Sequence, residues 1–167
     1  MATTTDNVRA RGWPSRPVFG DKMRVLFVCL GNICRSPSAH AVLRAKACDM
    51  GWTVDSAGAG GWHVGDPPDP RAVAEAEARG YPMADLRARQ FVRADFDRFD
   101  LILAMDRSNL RDINALRPAG TAASVALFLE HALGTTQDVP DPYYTGGFAQ
   151  VFEMIEAGAD ALVRRAA

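Results

Sequence analysis

A short apolar strand that runs directly into a loop of small residues constrains the fold of this chain most. The run Met23 to Val28 is almost continuously apolar, a pattern typical of a parallel strand buried on both faces. The loop Cys29 to Arg35 follows, and Ser36-Pro37 then offers an N-cap and a proline suited to the first helical position. The sequence therefore predicts strand, loop and helix, with the helix continuing to about Asp49.

The same alternation of strands and helices repeats along the chain. Further strands are predicted at 52–55, 101–105 and 124–128, and further helices are predicted after Asp69-Pro70, at 94–99, at 106–116 and at 148–165. Helices that alternate with strands cover both faces of a parallel sheet. We predict a three-layer α/β fold with a four-stranded parallel sheet between helices.

The chain of 167 residues suits one domain, and its first segment differs from the rest. Residues 1–22 contain three consecutive threonines, two prolines and scattered arginines without apolar periodicity. Such a segment buries too little surface to offset the entropy of ordering. We expect a flexible N-terminal tail at 1–22 and a single folded domain at 23–167.

Charge and cysteine content narrow the expected partners and compartment. Nineteen lysines and arginines stand against twenty aspartates and glutamates, so no global positive field attracts nucleic acid or an anionic membrane. No run of eighteen apolar residues predicts a membrane span. Three cysteines do not make a disulfide framework, and no secretory signal precedes the first strand. We expect a cytoplasmic protein without nucleic-acid or membrane partners.

The loop after the first strand has the composition of a phosphate site. Cys29 and Arg35 bracket five residues between a buried strand and a helix start, where backbone N–H groups and the helix dipole favour a tetrahedral dianion. The guanidinium can hold two oxygens of that dianion. The same surroundings are expected to favour a thiolate at Cys29. The remaining candidate binding residues are Leu30, Gly31, Asn32, Ile33, Cys34 and Ser36.

Three of these loop residues have more specific expected roles. Gly31 permits a positive φ or a close backbone approach. The side chains of Asn32 and Ser36 can fix the loop or donate a hydrogen bond to the sulfur of Cys29.

A family resemblance is carried by VLFVCLGNICRSPSAHAVL at 25–43, DSAG at 55–58, DPRAV at 69–73 and DPYY at 141–144. Over about 23–165 the chain closely resembles the low-molecular-weight protein tyrosine phosphatases. The resemblance implies that family's four-stranded parallel sheet and hydrolysis of phosphotyrosine in protein substrates. It also implies that Cys29 is the nucleophile, that Arg35 holds the phosphoryl group and that Asp141 is the general acid.

These roles agree with ordinary chemistry and need no cofactor. A cysteinyl-phosphate divides one difficult hydrolysis into two steps, and a carboxylic acid protonates the departing phenolate. His40, His63 and His131 form no short-range ligand pattern, so no metal is expected. As to assembly, we expect a monomer or a weak homodimer.

Aromatic residues near these motifs are expected to form the walls of a cleft. Tyr143 and Tyr144 directly follow the expected acid and can stack on a substrate phenyl ring, although ordinary core packing is the alternative. Trp62 can supply the opposite wall, with buried packing as its alternative.

We also predict roles for the two remaining cysteines and for Asp106. Cys34 is expected to act as a redox partner that captures oxidised Cys29, or else to pack within the loop. Cys48 is predicted to be a core residue because it shares a helical face with Ala41 and Ala45. Asp106 either orients Arg35 or caps a helix, and the sequence does not decide between these two roles.

Ser56, at the end of the second predicted strand, has two similar alternatives. It either forms a hydrogen bond within the phosphate loop or occupies a turn.

Two other functions compete with phosphatase activity. Arsenate reductases that resemble this fold attack arsenate with a similar cysteine loop, but the thioredoxin-coupled ones need further cysteines to relay a disulfide. A non-catalytic phosphate binder is the second alternative, although it would not need the nucleophile, the arginine and the acid together.

Overall fold

The computed structural model describes residues 22–166, and its centre is a sheet of four parallel strands. The strands are β1 (Arg24–Cys29), β2 (Thr53–Gly58), β3 (Leu101–Ala104) and β4 (Ser124–Leu127). In spatial order they are β2, β1, β3 and β4, so that the first strand of the chain is an inner one. The predicted α/β class and the four-stranded parallel sheet are confirmed.

Helices connect the strands and cover both faces of the sheet. Beyond the predicted ones, two short helices lie between β4 and the last helix, and a turn of 3₁₀ helix spans Cys48–Met50. The α-helices are α1 (Arg35–Lys46), α2 (Pro70–Ala78), α3 (Asp95–Arg98), α4 (Arg107–Ala115), α5 (Phe128–Leu133), α6 (Pro142–Thr145) and α7 (Phe148–Ala166).

Alternate residues of β1 point into two separate cores. Val25 and Phe27 pack with α1, α2, α5 and α7, and the ring of Phe27 meets Phe128 edge to face at 5.1 Å. Leu26 and Val28 pack on the opposite face with α3, α4 and the segment before them. These four side chains are fully buried, which is the burial expected of a parallel strand inside three layers.

The ends of α1 differ from the sequence prediction. The helix begins at Arg35, and Ser36 is therefore inside the first turn and is not the N-cap. Cys34 occupies the cap position, and its side chain forms no capping hydrogen bond to the helix. At the other end α1 stops at Lys46 instead of about Asp49, because the chain tightens into the 3₁₀ turn.

The prediction that Cys48 lies in the core is wrong. The structure places this residue in the 3₁₀ turn, where it is exposed. The helical periodicity that linked it to Ala41 and Ala45 no longer holds after Lys46, so its side chain turns to solvent. Along that face burial decreases from buried Ala41 to half-buried Ala45 and exposed Cys48.

The helices α5 and α6 were missed because they contain six and four residues, too few for a periodic pattern to be recognised. The second strand is also longer than predicted and continues to Gly58. The N-cap Asp69 and the first-turn proline of α2 agree with the sequence prediction.

The expected tail at 1–22 lies outside the described residues, except for Lys22. No helix between residues 22 and 166 has the length and apolar character needed to cross a membrane.

Candidate active site

The candidate site lies at the carboxyl edge of the sheet, where two inner strands end side by side. Cys29 is the last residue of β1, and Asp106 follows the neighbouring β3 by two positions. A third segment joins them, because the N–H of Val139 donates to the carbonyl of Met105 at 2.8 Å. This edge is where ligands bind in open parallel sheets.

The sulfur of Cys29 lies at the floor of this edge, with only 3% of the residue exposed. The backbone N–H of Asn32 points at the sulfur from 3.3 Å, and the hydroxyl oxygen of Ser36 lies 3.0 Å away. Ser36 also lies 3.3 Å from the carbonyl oxygen of Ala57. Because the Asn32 amide already donates to the hydroxyl oxygen of Ser36 at 2.8 Å, the serine keeps its own proton for the sulfur or that carbonyl.

Asn32 fixes the shape of the loop through both its backbone and its side chain. Its φ of 57° is left-handed, a conformation that Asn tolerates better than most residues. The amide oxygen accepts a hydrogen bond from the N–H of Arg89 at 3.0 Å, while the amide nitrogen donates to Ser36. The loop is thereby joined to the segment that follows α2.

Gly31 is required for a close approach and not for a positive φ. A Cβ on this residue would lie 2.9 Å from Cδ2 of His63, a distance too short for ordinary contact. The left-handed residue of the loop is the next one, Asn32.

Arg35 is a buried cation held by groups from two other segments. Its Nη1 donates to Oδ2 of Asp106 at 2.6 Å and to the carbonyl of Val139 at 3.0 Å. Its Nη2 lies 3.6 Å from Oδ2 of Asp141. Burial alone would lower the pKa of Arg35, but the charge of a Cys29 thiolate and the bond to Asp106 raise it overall, so the group stays charged.

Asp106 combines the two roles between which its sequence position does not decide. It orients Arg35, and its other oxygen accepts the N–H of Asn109 at 2.8 Å and so caps α4. The Asn109 side chain in turn accepts the N–H of Asp106, which completes a capping box. The helix cap therefore fixes the carboxylate that holds the arginine.

Asp141 is the N-cap of the short helix α6 and is about one-third exposed. Its Oδ1 accepts the N–H of Tyr143 at 3.1 Å, and its Oδ2 is the atom directed towards Arg35. This position leaves the carboxyl group at the side of the cavity, within reach of both Arg35 and solvent.

The loop and the acid line one cavity of about 310 Å³. Trp62 and Tyr144 stand at its mouth and are 73% and 88% exposed, so Trp62 is not a buried packing residue. Tyr143 lies against Tyr144 edge to face at 4.8 Å. The cavity is lined by Cys29, Leu30, Gly31, Ile33, Cys34, Arg35, Trp62, His63, Asp141, Tyr143 and Tyr144. Asn32 and Ser36 are not in this lining and brace the loop through their hydrogen bonds.

His63 is a lining residue that the sequence analysis missed. Its Nδ1 lies 3.2 Å from Oδ2 of Asp66 in the same loop. From the sequence, His63 was weighed only as a possible metal ligand. Its position next to Trp62 was the signal that it would face the cavity. Among residues 22–166, no three His, Cys, Asp or Glu side chains group as a metal site.

Ser56 neither forms a hydrogen bond within the phosphate loop nor occupies a turn. It lies within β2, and its hydroxyl is 3.1 Å from Nδ1 of buried His40. Burial lowers the pKa of His40 to about 4, so the imidazole is neutral at physiological pH. This pair lies outside the lining of the cavity and braces β2 against α1.

The two cysteines of the loop have different surroundings. Cys34 is 4% exposed, and burial raises its pKa to about 12, with a further rise from the Asp69 carboxylate. Cys29, in contrast, has the Asn32 N–H and the Ser36 hydroxyl beside its sulfur. All three cysteines of the chain are free thiols.

Comparison with known proteins gives one family. The model of the low molecular weight phosphotyrosine protein phosphatases matches residues 24–167. A Schizosaccharomyces pombe protein named low molecular weight phosphotyrosine protein phosphatase is 48% identical over 138 residues, which cover 78% of this chain and 88% of the relative. A low molecular weight protein-tyrosine-phosphatase of Streptomyces coelicolor is 46% identical over 150 residues, covering 84% and 91%.

Solved structures agree with the sequence matches. The crystal structure of YfkJ from Bacillus subtilis is similar with a TM-score of 0.80 and 38% identity, covering 87% of this chain and 95% of that one.

The left-handed Asn32 gives a prediction about stability. Asn32→Ala should be less stable than Asn32→Gly by about 1 kcal/mol, because both remove the side-chain hydrogen bonds but only alanine resists a positive φ. Asn114, exposed within α4, is the control: there the glycine variant should be the less stable by about 1 kcal/mol. Urea unfolding measures both pairs. An alanine variant at 32 as stable as the glycine variant would show that the backbone there is not strained.

Proposed function

The chain belongs to the low molecular weight phosphotyrosine protein phosphatase family and is a protein-tyrosine-phosphatase, and we propose that Cys29, Arg35 and Asp141 perform its reaction. One observation carries the assignment of these residues. The buried guanidinium of Arg35 pairs with Asp106 and reaches Asp141, and Arg35, Asp141 and Cys29 line the same cavity. A nucleophile, a phosphate-binding cation and a proton donor thus share one small space.

In the first step, the Cys29 thiolate attacks the phosphorus of phosphotyrosine. A sulfur–phosphorus bond forms as the bond from phosphorus to the phenolic oxygen breaks, and protonated Asp141 donates its proton to that oxygen. The N–H of Asn32 and the hydroxyl of Ser36 stabilise the thiolate before attack. The products are tyrosine and a cysteinyl-phosphate.

In the second step, water replaces sulfur on the phosphorus. The Asp141 carboxylate takes a proton from the water, whose oxygen forms a bond to phosphorus while the sulfur–phosphorus bond breaks. Phosphate leaves, and both the Cys29 thiolate and the protonated acid are restored.

Arg35 stabilises the charge on the equatorial phosphoryl oxygens in both steps. Its Nη1 donates to Asp106 and Val139, so Nε and Nη2 are the donors for two phosphoryl oxygens, and Nη2 exchanges its 3.6 Å contact with Asp141 for one of them. Because Asp106 and Val139 hold the guanidinium before substrate arrives, little reorganisation is needed in the transition state.

The depth of the cavity favours phosphotyrosine over shorter phosphoamino acids. The sulfur lies at a floor that is almost fully buried, whereas Trp62 and Tyr144 stand exposed at the mouth. A phenyl ring spans this distance and stacks on the aromatic walls, whereas the short side chain of phosphoserine does not. Leu30 and Ile33 add apolar surface around the ring.

Arsenate reduction is the weaker alternative because a relay cysteine is missing near the site. Cys34 lies inside the phosphate loop itself, so it is not a further cysteine on a separate segment that could carry a disulfide away from Cys29. Cys48 is exposed, but it lies beyond the carboxyl end of α1, whose twelve residues separate it from the loop by about 18 Å. This distance replaces core burial as the reason why Cys48 does not relay a disulfide.

Phosphotyrosine-bearing proteins are the proposed partners, in keeping with the family. The cytoplasmic location, the monomeric or weakly dimeric state, and the absence of metal, nucleic-acid and membrane partners stay predictions from the sequence.

Cys29→Ser should abolish turnover of aryl phosphates while leaving the fold and phosphate binding largely intact. Serine keeps the shape of cysteine but is a poor nucleophile at neutral pH. A phosphopeptide panel measures the loss, with Cys48→Ser as a control that retains full activity and Arg35→Lys as a second severe variant, since lysine lacks the planar two-pronged geometry. Residual activity of Cys29→Ser within tenfold of wild type would exclude Cys29 as the nucleophile.

Asp141→Ala should lower kcat/KM by about two to four orders of magnitude for substrates with poor leaving groups. The loss should shrink as the leaving phenol becomes more acidic, because its anion then departs without a proton. Asp138→Ala is the matched control, since Asp138 is equally exposed and lies in the same segment but does not line the cavity. Equal losses across a series of leaving groups would assign Asp141 another role.

We propose in addition that Cys34 captures oxidised Cys29. Peroxide converts the Cys29 thiol to a sulfenic acid and water, and condensation with the Cys34 thiol then forms a disulfide and releases a second water. The raised pKa of Cys34 keeps most of it protonated at neutral pH, so the capture should accelerate as the pH rises towards about 12.

Peroxide followed by dithiothreitol tests this capture. Wild type and Cys48→Ser should recover activity and show a Cys29–Cys34 crosslink by mass spectrometry, whereas Cys34→Ser should be lost irreversibly. Recovery should improve between pH 6 and pH 8 in wild type and in Cys48→Ser, but not in Cys34→Ser. If Cys34→Ser recovers as well as wild type, Cys34 is a packing residue.

A further inference from the structure

Arg71 joins two parts of the site without lining the cavity. It lies in the first turn of α2, and its guanidinium forms a two-pronged pair with Asp69, from Nε at 3.1 Å and from Nη2 at 2.9 Å. The same Nη2 donates to the backbone carbonyl of Tyr143 at 3.0 Å. One side chain thus connects the start of α2 to the segment that carries Asp141.

Asp69 is firmly attached to the phosphate loop. Its backbone N–H donates to the carbonyl of Ile33 at 2.8 Å, and the residue is only 8% exposed. Its carboxylate also accepts the N–H of Arg71 at 2.8 Å as the cap of α2. The bond to Arg71 lowers the pKa of Asp69, so the ion pair persists at physiological pH.

The guanidinium of Arg71 also lies near two aromatic rings that follow Asp141 in the chain. Its guanidinium carbon lies 5.6 Å from the ring centre of Tyr143 and 4.8 Å from that of Phe148, distances suited to cation–π attraction. The N–H of Tyr143 in turn donates to Oδ1 of Asp141. The residue that Arg71 holds therefore also holds the carboxyl group of the proposed acid.

We infer that Arg71 is a positioning residue that fixes the proton donor Asp141 relative to the phosphate loop. This inference rests on the proposed role of Asp141. The segment is anchored before the acid by Val139, through its bonds to Met105 and Arg35, and Arg71 supplies the anchor after it. Because Asp141 is itself about one-third exposed, burial alone does not fix its direction.

Arg71→Ala should lower kcat/KM by about ten- to a hundredfold for aryl phosphates with poor leaving groups, and by less than about threefold for activated ones. A misplaced acid harms only the reactions that need its proton. The variant keeps the helix cap, because the backbone N–H of residue 71 remains to bond Asp69. Arg71→Lys retains the charge but not the two-pronged geometry, so its kcat/KM for poor leaving groups should lie between those of wild type and Arg71→Ala.

Arg44→Ala is the matched control. Arg44 is also an exposed two-pronged partner of an aspartate, with bonds of 2.9 and 3.0 Å to Asp85, and it also donates to a backbone carbonyl, that of Pro82. It lies away from the cavity lining, so its loss should leave the leaving-group series unchanged. Thermal unfolding of all variants checks that the fold is retained.

The double variant Arg71→Ala with Asp141→Ala separates the inference from the proposed function. If Arg71 acts through the acid, removing it from Asp141→Ala should cause no further loss. Should Asp141→Ala itself show no dependence on the leaving group, the role proposed for Asp141 is wrong. If that dependence holds but Arg71→Ala loses equally for all substrates, or lowers the activity of Asp141→Ala further, Arg71 does not position the acid.

Discussion

The ion pair between Arg35 and Asp106 is the interaction on which the rest of the site depends. It joins the start of α1, which follows β1, to the start of α4, which follows the neighbouring β3. Removing one partner from a buried pair typically costs about 3–5 kcal/mol, because the other charge is left without compensation. The pair is thus a structural link across the edge of the sheet, and it also holds Arg35, the cation that we propose binds the phosphoryl group. The requirement for its geometry explains why Asp106 is itself held by a capping box with Asn109.

The surroundings of two cysteines in one loop separate their chemistry. Hydrogen-bond donors converge on the sulfur of Cys29, whereas Cys34 is buried beside Asp69 and its pKa is raised to about 12. A positive φ at Asn32 is what turns that residue's N–H towards the sulfur while its side chain reaches Ser36. Because the two residues are 3% and 4% exposed, the hydrogen-bond donors that the backbone directs at the sulfur distinguish the proposed nucleophile Cys29 from Cys34, and not exposure or residue type.

Local signals made the succession of strands and helices along the chain and the loop predictable, whereas the long-range contacts were not predictable. The apolar run of β1 and the Asp69-Pro70 helix start are each contained in a few consecutive residues. The sequence placed Ser36 at a helix cap and Cys48 in the core, because neither the earlier start of α1 nor its end at Lys46 has a local signature. His63 and Arg71 escaped for the same reason: their partners in the site, Gly31 and Tyr143, are 32 and 72 residues away. Such pairings become visible only when the sheet brings the segments together.

The proposed nucleophile and the proposed acid differ in their burial and in the contacts that hold them. The nucleophile ends an inner strand that is buried on both faces, and its loop is braced by side-chain and backbone hydrogen bonds. The acid instead begins a four-residue helix next to an exposed tyrosine, with Val139 and Arg71 as its anchors on either side. Phosphorus must meet sulfur in the same geometry in every substrate, but the phenolic oxygen arrives attached to different proteins. A buried floor with a proton donor held between two anchors on an exposed rim satisfies both requirements, because the exposed side chains around the rim can accommodate different proteins while the transition-state charge stays in a fixed cradle.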